Sequence, residues 1–190
     1  MKRGEDFEDL ITFQWFTLEE VKKINKNIKE NFLKNIKGNF LDKQDPSGGA
    51  GNAVKRGGFF HLPCNPLMEL IHPWLYQCQL ANRVIFGYDI DWAFQLDRLN
   101  YNVYEMNDEY TWHIDGSREK IFDMKLTCLL NLSEEPYEGG EFYMINSNEK
   151  IEFTSGMGLV LNSLIAHKVT PVTKGERITL TYFGLGPAWK

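Results

Sequence analysis

The stretch TWHIDG, residues 111–116, places an imidazole and a carboxylate two positions apart in a chain that has four histidines. Residues i and i+2 of an extended strand point to the same face, so the side chains of His113 and Asp115 would stand next to each other. A single His-x-Asp pattern arises easily by chance. It has two interpretations: part of a metal site, or a hydrogen-bonded pair on a surface strand.

A third metal ligand must come from elsewhere in the chain. His167 is the other histidine in a strand-like segment of the C-terminal half, whereas His61 and His72 lie in apolar surroundings and are interpreted as structural. Two histidines and one carboxylate are the ligand set of a non-haem Fe(II) site with open coordination positions. A zinc hydrolase could use the same atoms, so the ligand types alone leave both metals open.

The segment around His167 has the pattern of a β-hairpin. If the loop is Thr173–Gly175, with Gly175 in the left-handed conformation, Pro171 pairs with Arg177 and His167 lies opposite Thr181. Period-2 alternation then puts four polar side chains on one face: His167, Arg177, Thr179 and Thr181. That face is either solvated or lines a cavity.

The arginine favours one chemistry over the other. A zinc hydrolase gives no reason for Arg177 on the face of His167. An iron oxygenase that uses a dicarboxylic keto acid does, because a guanidinium offers two parallel hydrogen bonds to the distant carboxylate.

These residues resemble the 2-oxoglutarate/Fe(II)-dependent dioxygenases, in particular the prolyl 4-hydroxylase-like branch and its microbial PKHD-type members, over roughly residues 84–187. His113 and Asp115 are similar to the family's His-x-Asp, and His167 to its distal histidine. Arg177, ten residues after His167, is similar to the basic residue that holds the C5 carboxylate of 2-oxoglutarate.

Further positions carry the same resemblance. Tyr104 is similar to the tyrosine that contacts the cosubstrate, and Thr181 falls where a cosubstrate-contacting hydroxyl is often found. LNLSEEPYEGGEFYM, residues 130–144, is similar to the family's segment between the metal-binding strands. Two related families fit less well: AlkB-type nucleic-acid demethylases carry a second arginine where this chain has Phe183, and cupins carry His-x-His.

The resemblance implies a dioxygenase that uses Fe(II), 2-oxoglutarate and O2, with ascorbate as a further expected factor, and that releases succinate and CO2 while hydroxylating a C–H bond. A prolyl residue of a peptide or protein is the expected substrate. Trp112 and Trp92 are predicted near the mouth of the site, where they could pack against its ring. The alternatives are a free amino acid or other small metabolite, or a non-catalytic jelly-roll binding or structural module.

Composition limits the class of protein. The 190 residues, 43% hydrophobic and 25% charged, fit one globular domain, residues 1–190. A net charge of −5 disfavours nucleic-acid binding. Three widely spaced cysteines indicate neither a disulfide framework nor a zinc ribbon. No run is long enough to span a membrane, so a cytoplasmic location is expected.

The N-terminal part is predicted to be helical support, over about residues 1–83. An amphipathic helix over 16–38 begins with a capping box formed by Thr17 and Glu20. A Gly-rich break follows at 44–58, which is either a surface loop or a lid over a site.

A second helix is predicted to begin with Asn65 as N-cap and Pro66 at N1, and to be kinked or split by Pro73. From about residue 84 the pattern changes to short strands, beginning with RVIFGYDI, which predicts an α+β protein with a β-sandwich or barrel core. The resemblance makes this core, over about 84–187, a double-stranded β-helix (jelly roll).

In LDRLNYNVYEM, the predicted strand has an apolar face and a polar face. The apolar face comprises Leu99, Tyr101 and Val103. The polar face comprises Arg98, Asn100, Asn102 and Tyr104.

Overall fold

The computed structural model describes residues 10–34, 54–92, 98–116, 122–147 and 149–189. The helices are α1 (Leu18–Ile28) and α2 (Met68–Ala81). The strands are β1 (Leu10–Gln14), β2 (Lys55–Arg56), β3 (Gly58–Pro63), β4 (Arg98–Tyr104), β5 (Glu109–His113), β6 (Phe122–Asn131), β7 (Glu138–Gly139), β8 (Phe142–Met144), β9 (Met157–Asn162), β10 (His167–Val169), β11 (Val172–Lys174) and β12 (Arg177–Pro187).

The strands form two principal antiparallel sheets. The large sheet has the order β1-β9-β6-β12-β4-β3, and the small sheet has the order β2-β5-β10-β8. β11 and β7 form a separate two-stranded ribbon. This mixed architecture with a jelly-roll core confirms the predicted fold class. In the described part of the chain, no helix is both long and apolar enough to cross a membrane.

Helix α1 begins at the predicted capping box. The Glu20 backbone N–H donates to Thr17 Oγ1 at 3.3 Å, and the Thr17 backbone N–H donates to Glu20 Oε2 at 2.8 Å. Asn25 is buried within the helix, where its side chain donates to the Leu132 carbonyl at 2.7 Å and accepts from the Tyr101 hydroxyl at 3.1 Å. These two bonds attach α1 to the large sheet. The α-helix gives way to a π-helical turn at Lys29–Leu33, and residues 35–38 lie outside the described residues.

Helix α2 corrects two predictions. A 3₁₀ turn over Asn65–Leu67 precedes it, so Asn65 lies inside a helical turn and does not cap it. The helix continues through Pro73 without a break. Proline removes one backbone hydrogen bond inside the helix, and burial of the neighbouring Trp74 and Leu75 offsets that loss.

The predicted strand RVIFGYDI is also wrong. Its first residues complete a π-helical turn over Asn82–Phe86, which ends at Gly87 in the left-handed conformation. Asp91, the residue after this segment, makes a single β-bridge to Leu185. A short apolar run does not distinguish a buried helical turn from a strand, because both bury the same residue types.

The N-terminal part is less purely helical than predicted. Strand β1 pairs with β9 and β3 pairs with β4, so residues before 84 supply two strands of the large sheet. Phe13 lies opposite Gly158, and a Cβ at that glycine would meet the phenylalanine ring at 2.5 Å. The missing side chain therefore makes room for the ring of the edge strand.

The predicted hairpin between β10 and β12 does not form. β10 pairs with β5 and β8, whereas β12 pairs with β4 and β6. Gly175 has the predicted positive φ, 74°, but there the chain passes from the two-stranded ribbon (β11) to the large sheet (β12) instead of folding back on β10. The pairing of His167 with Thr181 is therefore wrong. The grouping of Arg177 with the threonines holds, because alternation within one strand does not depend on its partner.

The two faces of the large sheet have different roles. Apolar residues of β4 and β12 face α1 and α2 in the main hydrophobic core; they are Leu99, Tyr101, Val103, Ile178, Leu180 and Tyr182. The polar residues that alternate with them face a cavity between the sheets; they are Asn100, Asn102, Tyr104, Arg177, Thr179 and Thr181. The alternation predicted for both strands is confirmed.

Candidate metal centre

The three predicted metal ligands lie together. Strands β5 and β10 are neighbours, and their register places His167 opposite His113. Asp115 follows two residues after the end of β5. The Nε2 atoms of His113 and His167 lie 3.6 Å and 3.4 Å from the two carboxylate oxygens of Asp115. One ligand atom from each residue lies within 4.8 Å of the other two, so the trio could hold a metal ion.

Hydrogen bonds to the backbone set the tautomer of both histidines. His113 Nδ1 lies 2.8 Å from the Thr111 carbonyl, and His167 Nδ1 lies 2.9 Å from the Ile165 carbonyl. A carbonyl only accepts, so each Nδ1 carries the proton and each Nε2 presents its lone pair to the cluster. Burial, then the charge of His167, lowers the pKa of His113 to about 4. At neutral pH this imidazole is in its metal-binding form.

The carboxylate is positioned by a residue that the sequence analysis missed. Thr127 of β6 donates from Oγ1 to Asp115 Oδ2 at 2.5 Å, and its hydroxyl also lies 3.0 Å from Ser163 Oγ. The Asp115 backbone N–H donates to the Ser163 carbonyl at 2.9 Å. The only sequence signal for Thr127 was its place on a strand whose alternate residues are apolar.

Aromatic rings cover both histidines. Tyr110 stacks on His113 with ring centroids 3.4 Å apart, and Phe142 lies 5.3 Å from His167 at an interplanar angle of 29°. His113 and His167 are 5% and 3% exposed. The rings therefore limit imidazole rotation and keep water away from the cluster.

Arg177 is a buried cation without an acidic partner in the described part of the chain. It is 2% exposed, and no carboxylate of the described residues lies within ion-pair distance. Its Nε has no hydrogen-bond partner there either. The guanidinium carbon lies 5.3 Å from the Tyr104 ring and 5.7 Å from the Phe153 ring. A buried unpaired charge is costly, so the Arg177 guanidinium is suited to bind the anionic group of a ligand.

Tyr104 and Thr181, which the resemblance implies as contacts of the cosubstrate, both line the cavity. Arg177 is the register partner of Tyr104 across β12 and β4. Burial raises the pKa of Tyr104 to about 12, so its hydroxyl keeps its proton at neutral pH and can donate. The Asn102 side chain donates to Thr181 Oγ1 at 3.0 Å.

The cavity holds the whole predicted set. Its lining comes from both sheets: Lys55, Asn100, Asn102, Tyr104, Tyr110, His113, Asp115, Thr127, Leu129, Phe142, His167, Val169, Arg177, Thr179, Thr181 and Phe183. A larger cavity of about 1010 Å³ lies elsewhere, along segments 133–142 and 150–155. Among the described residues, the possible metal ligands line the smaller cavity. We therefore take the smaller cavity as the candidate site, because of the side chains that line it.

Three other predictions about the cavity can be compared with the structure. Trp112 precedes His113 on β5 and lies on the opposite face, 4.9 Å from Lys168 Nζ; Trp92 stacks on Tyr182 of the core. Neither tryptophan is among the residues that line the cavity, and their contact with substrate stays a prediction. Most of the Gly-rich segment 44–58 lies outside the described residues.

The donor set fits the metal and cosubstrate that the sequence suggests. Two imidazoles and one carboxylate on one side of a cavity suit Fe(II) and leave coordination positions open. Arg177, on the opposing sheet, suits the far carboxylate of a dicarboxylic acid.

Comparison with known proteins supports the same assignment. Residues 99–184 match the model of the 2OG-Fe(II) oxygenase superfamily. A PKHD-type hydroxylase of Alteromonas mediterranea is 35% identical over 88 residues, 41% of this chain and 38% of the relative. A PKHD-type hydroxylase of Janthinobacterium sp. is 35% identical over 88 residues, 42% and 39%. The matched region therefore spans about two fifths of the length of these relatives.

Solved structures share the fold at low sequence identity. The viral collagen prolyl hydroxylase of Paramecium bursaria Chlorella virus-1 gives a TM-score of 0.66 at 14% identity, covering 93% of this chain and 95% of that one. A prolyl-4-hydroxylase of Pseudomonas putida gives 0.66 at 16% identity, covering 93% and 92%. A prolyl hydroxylase of Trichoplax adhaerens, in complex with a hypoxia-inducible-factor peptide, gives 0.67 at 14% identity, covering 93% and 84%.

Proposed function

We propose that this chain is an Fe(II)- and 2-oxoglutarate-dependent dioxygenase that hydroxylates a C–H bond, because residues 99–184 match the model of the 2OG-Fe(II) oxygenase superfamily and the chain is similar to PKHD-type hydroxylases in sequence and to prolyl hydroxylases in fold. The observation that carries the proposal is the joint presence of a three-residue ligand cluster and a buried arginine without an acidic partner among the described residues, both lining one cavity.

His113, Asp115 and His167 would hold the metal through Nε2, a carboxylate oxygen and Nε2. The backbone carbonyls that accept from each Nδ1 keep both lone pairs aimed at the same point. Thr127 fixes the carboxylate by its hydrogen bond. Because these contacts already order the ligand side chains, metal binding loses less conformational entropy.

Arg177 would bind the far carboxylate of 2-oxoglutarate, with Tyr104 and Thr181 as further contacts. The guanidinium is already ordered and stripped of water, so a carboxylate that meets it gains a charge-assisted pair in a low-dielectric site. When bound, iron with 2-oxoglutarate supplies the oxidising chemistry, which releases succinate and CO2 as O2 is consumed. The aromatic cover from Tyr110 and Phe142 would exclude water from that chemistry.

A prolyl residue of a peptide or protein is the proposed substrate. The prolyl hydroxylases of the same fold support it, one of them bound to a peptide. Phe183 of this chain lines the cavity at the position where nucleic-acid demethylases carry a second arginine, which favours an apolar substrate group over a nucleotide.

The test combines turnover with product identification. Purified protein is incubated with Fe(II), 2-oxoglutarate and ascorbate, first alone and then with proline-containing peptides, L-proline or a cell lysate, and succinate and product masses are measured. We expect succinate formation and a gain of one oxygen on prolyl residues. His72→Ala is the matched control, since His72 is exposed on α2 away from the cavity. Oxidation of L-proline alone would reject the peptide substrate, and absence of succinate would reject the enzyme.

A further inference from the structure

The larger cavity has no part in the proposed function. It has a volume of about 1010 Å³ and is lined by segment 133–142, which runs from β6 into β8, by segment 150–155, which precedes β9, and by Leu18 of α1. Ligand sites in proteins typically have volumes of about 300–1,000 Å³. The larger cavity is therefore big enough for several side chains of a bound peptide.

Much of its lining is apolar. Leu18, at the start of α1, is 46% exposed, and Ile151 is half-buried. The other apolar or aromatic residues of the lining are Pro136, Tyr137, Phe142 and Phe153. Apolar surface gathered in a concave site is typical of places where a partner binds, because covering it removes apolar area from water.

Glutamates dominate the charged part of the lining. Three of the five have a lysine partner; the pairs are Glu134 with Lys29 at 3.2 Å, Glu138 with Lys174 at 2.8 Å and Glu141 with Lys150 at 3.0 Å. Glu135 and Glu152 are exposed and have no ion-pair or hydrogen-bond partner in the described part of the chain. The lining therefore keeps two negative charges beside its apolar surface, which favours a positively charged group.

The sign of this charge selects the occupant. Nucleic acid and anionic membrane headgroups carry the same sign as Glu135 and Glu152, so both are repelled. A lysine or arginine side chain has the opposite charge, and apolar side chains of the same peptide can cover Leu18 and Ile151. The larger cavity is therefore complementary to a peptide segment that carries basic side chains next to apolar ones.

The larger cavity adjoins the candidate metal centre. Phe142 lines both cavities, and its ring centroid lies 5.3 Å from that of His167. Phe153 lines the larger cavity, and its ring centroid lies 5.7 Å from the guanidinium carbon of Arg177. The two cavities are therefore neighbours, near enough for one polypeptide to reach both.

We propose that the larger cavity docks a basic segment of the polypeptide substrate, apart from the residue that is hydroxylated. The inference rests on the proposed function and deepens it, because it names a chemical feature of the substrate. Glu135 and Glu152 are the charged contacts, and Leu18 and Ile151 are apolar ones. Docking of this kind raises the effective concentration of the target residue at the metal centre.

Binding is measured first on the full chain without added metal, by calorimetry and by NMR of the ¹⁵N-labelled protein. The probes are the peptide Ac-Leu-Lys-Phe-Lys-Leu-NH2 and its neutral counterpart Ac-Leu-Gln-Phe-Gln-Leu-NH2. The cavity variant carries Glu135→Gln and Glu152→Gln. The control variant carries Glu69→Gln and Asp91→Asn, which remove the same two charges from exposed positions outside the larger cavity.

We expect the wild type to bind the lysine probe about tenfold more tightly than the glutamine probe, the gain of two partly solvated charge contacts. The lysine probe should shift amide signals of segments 133–142 and 150–155. The cavity variant should lose the preference, the control variant should keep it, and added salt should weaken it. Equal binding of the two probes by the wild type, or shifts only in other segments, would overturn the inference.

A second measurement tests whether the docked segment belongs to the substrate. Each probe is joined to Ac-Gly-Pro-Gly through a flexible Gly-Ser linker of about 16 residues, and KM and kcat are obtained from succinate formation with Fe(II) and 2-oxoglutarate. We expect the tethered lysine peptide to have a KM about tenfold lower than the tethered glutamine peptide at equal kcat, and the untethered lysine probe to give no such gain.

Equal KM values for the two tethered peptides, alongside a clear preference in the binding experiment, would overturn the assignment of the docked segment to the substrate. A failure of the proposed function is seen separately, as absence of succinate with every peptide. The binding experiment needs no metal, so its result does not depend on turnover and the two failures are distinguishable.

Discussion

The two sheets divide the cavity into regions with different support. The small sheet presents the candidate metal ligands His113 and His167 on β5 and β10, strands of five and three residues. The large sheet presents Arg177 on β12, an eleven-residue strand with partners on both sides and the main core behind it. Geometry on the small sheet therefore depends on local hydrogen bonds and ring contacts, whereas the arginine is held by the core of the protein.

The largest expected effect is on the small sheet. His113→Ala and His167→Ala should each abolish turnover of 2-oxoglutarate, because two protein ligands do not hold Fe(II) at this site. The fold should survive, since the main core comprises neither residue. Succinate formation and thermal unfolding are measured together. Turnover that persists in either variant would remove that histidine from the site.

Arg177→Met tests the large sheet. We expect 2-oxoglutarate affinity to fall by about 1.5–3 kcal/mol or more, with Fe(II) affinity unchanged. Because the arginine has no acidic partner in the described part of the chain, the free energy of unfolding without cosubstrate should stay the same or rise by about 1–4 kcal/mol.

Calorimetry and denaturant unfolding check both halves of this prediction. Arg177→Lys, which keeps the charge and loses the two-pronged contact, should lie between the wild type and the methionine variant in affinity. A large loss of stability in Arg177→Met would show that the guanidinium has a structural role.

A smaller effect is expected for the support of the carboxylate. Thr127→Val keeps the shape of the side chain and removes the hydroxyl that donates to Asp115. Fe(II) affinity should fall about 10-fold, as is typical for loss of a contact that orients a metal ligand. Thr154→Val, at an exposed position outside the metal site, is the control and should leave Fe(II) affinity unchanged. Equal affinity of wild type and Thr127→Val would mean that the Ser163 backbone contact alone positions Asp115.

The smallest effect lies outside both regions. Thr17→Ala removes the capping box of α1 and should lower the free energy of unfolding by about 1 kcal/mol. Fe(II) and 2-oxoglutarate affinities should not change, because α1 packs on the face of the large sheet away from the cavity. A change in metal affinity would show that the two faces of the large sheet are coupled.

The facing of residues on the large sheet was predicted correctly from the sequence, whereas the strand pairing on the small sheet was not. Period-2 alternation predicted which residues of β4 and β12 share a polar face, because that alternation is a property of the single strand. The pairing of β10 was predicted wrongly, because it depends on which distant strand offers the better partner. His113, Asp115 and His167 nonetheless came together, since the resemblance supplied what local pattern could not.

Other residues lay beyond the reach of sequence patterns. Lys55 is a lysine within the Gly-rich segment 44–58, and Thr127 is a threonine on a largely apolar strand; such residues are usually exposed or structural. Their place at the cavity follows from long-range pairing, of β2 with β5 and of β6 with β12. Trp112 directly precedes His113 on β5, so alternation puts its side chain on the face of the strand opposite to that of His113.

The central claim is that the metal binds at the small sheet and the cosubstrate carboxylate at the large sheet. Paired anaerobic titrations of Fe(II) and 2-oxoglutarate test it most directly, in three proteins: wild type, Asp115→Ala and Arg177→Met. The account predicts one Fe(II) per wild-type chain, loss of Fe(II) binding in Asp115→Ala, and retention of Fe(II) with weakened 2-oxoglutarate binding in Arg177→Met. A wild type that binds no stoichiometric Fe(II), or two variants that lose both ligands equally, would contradict it.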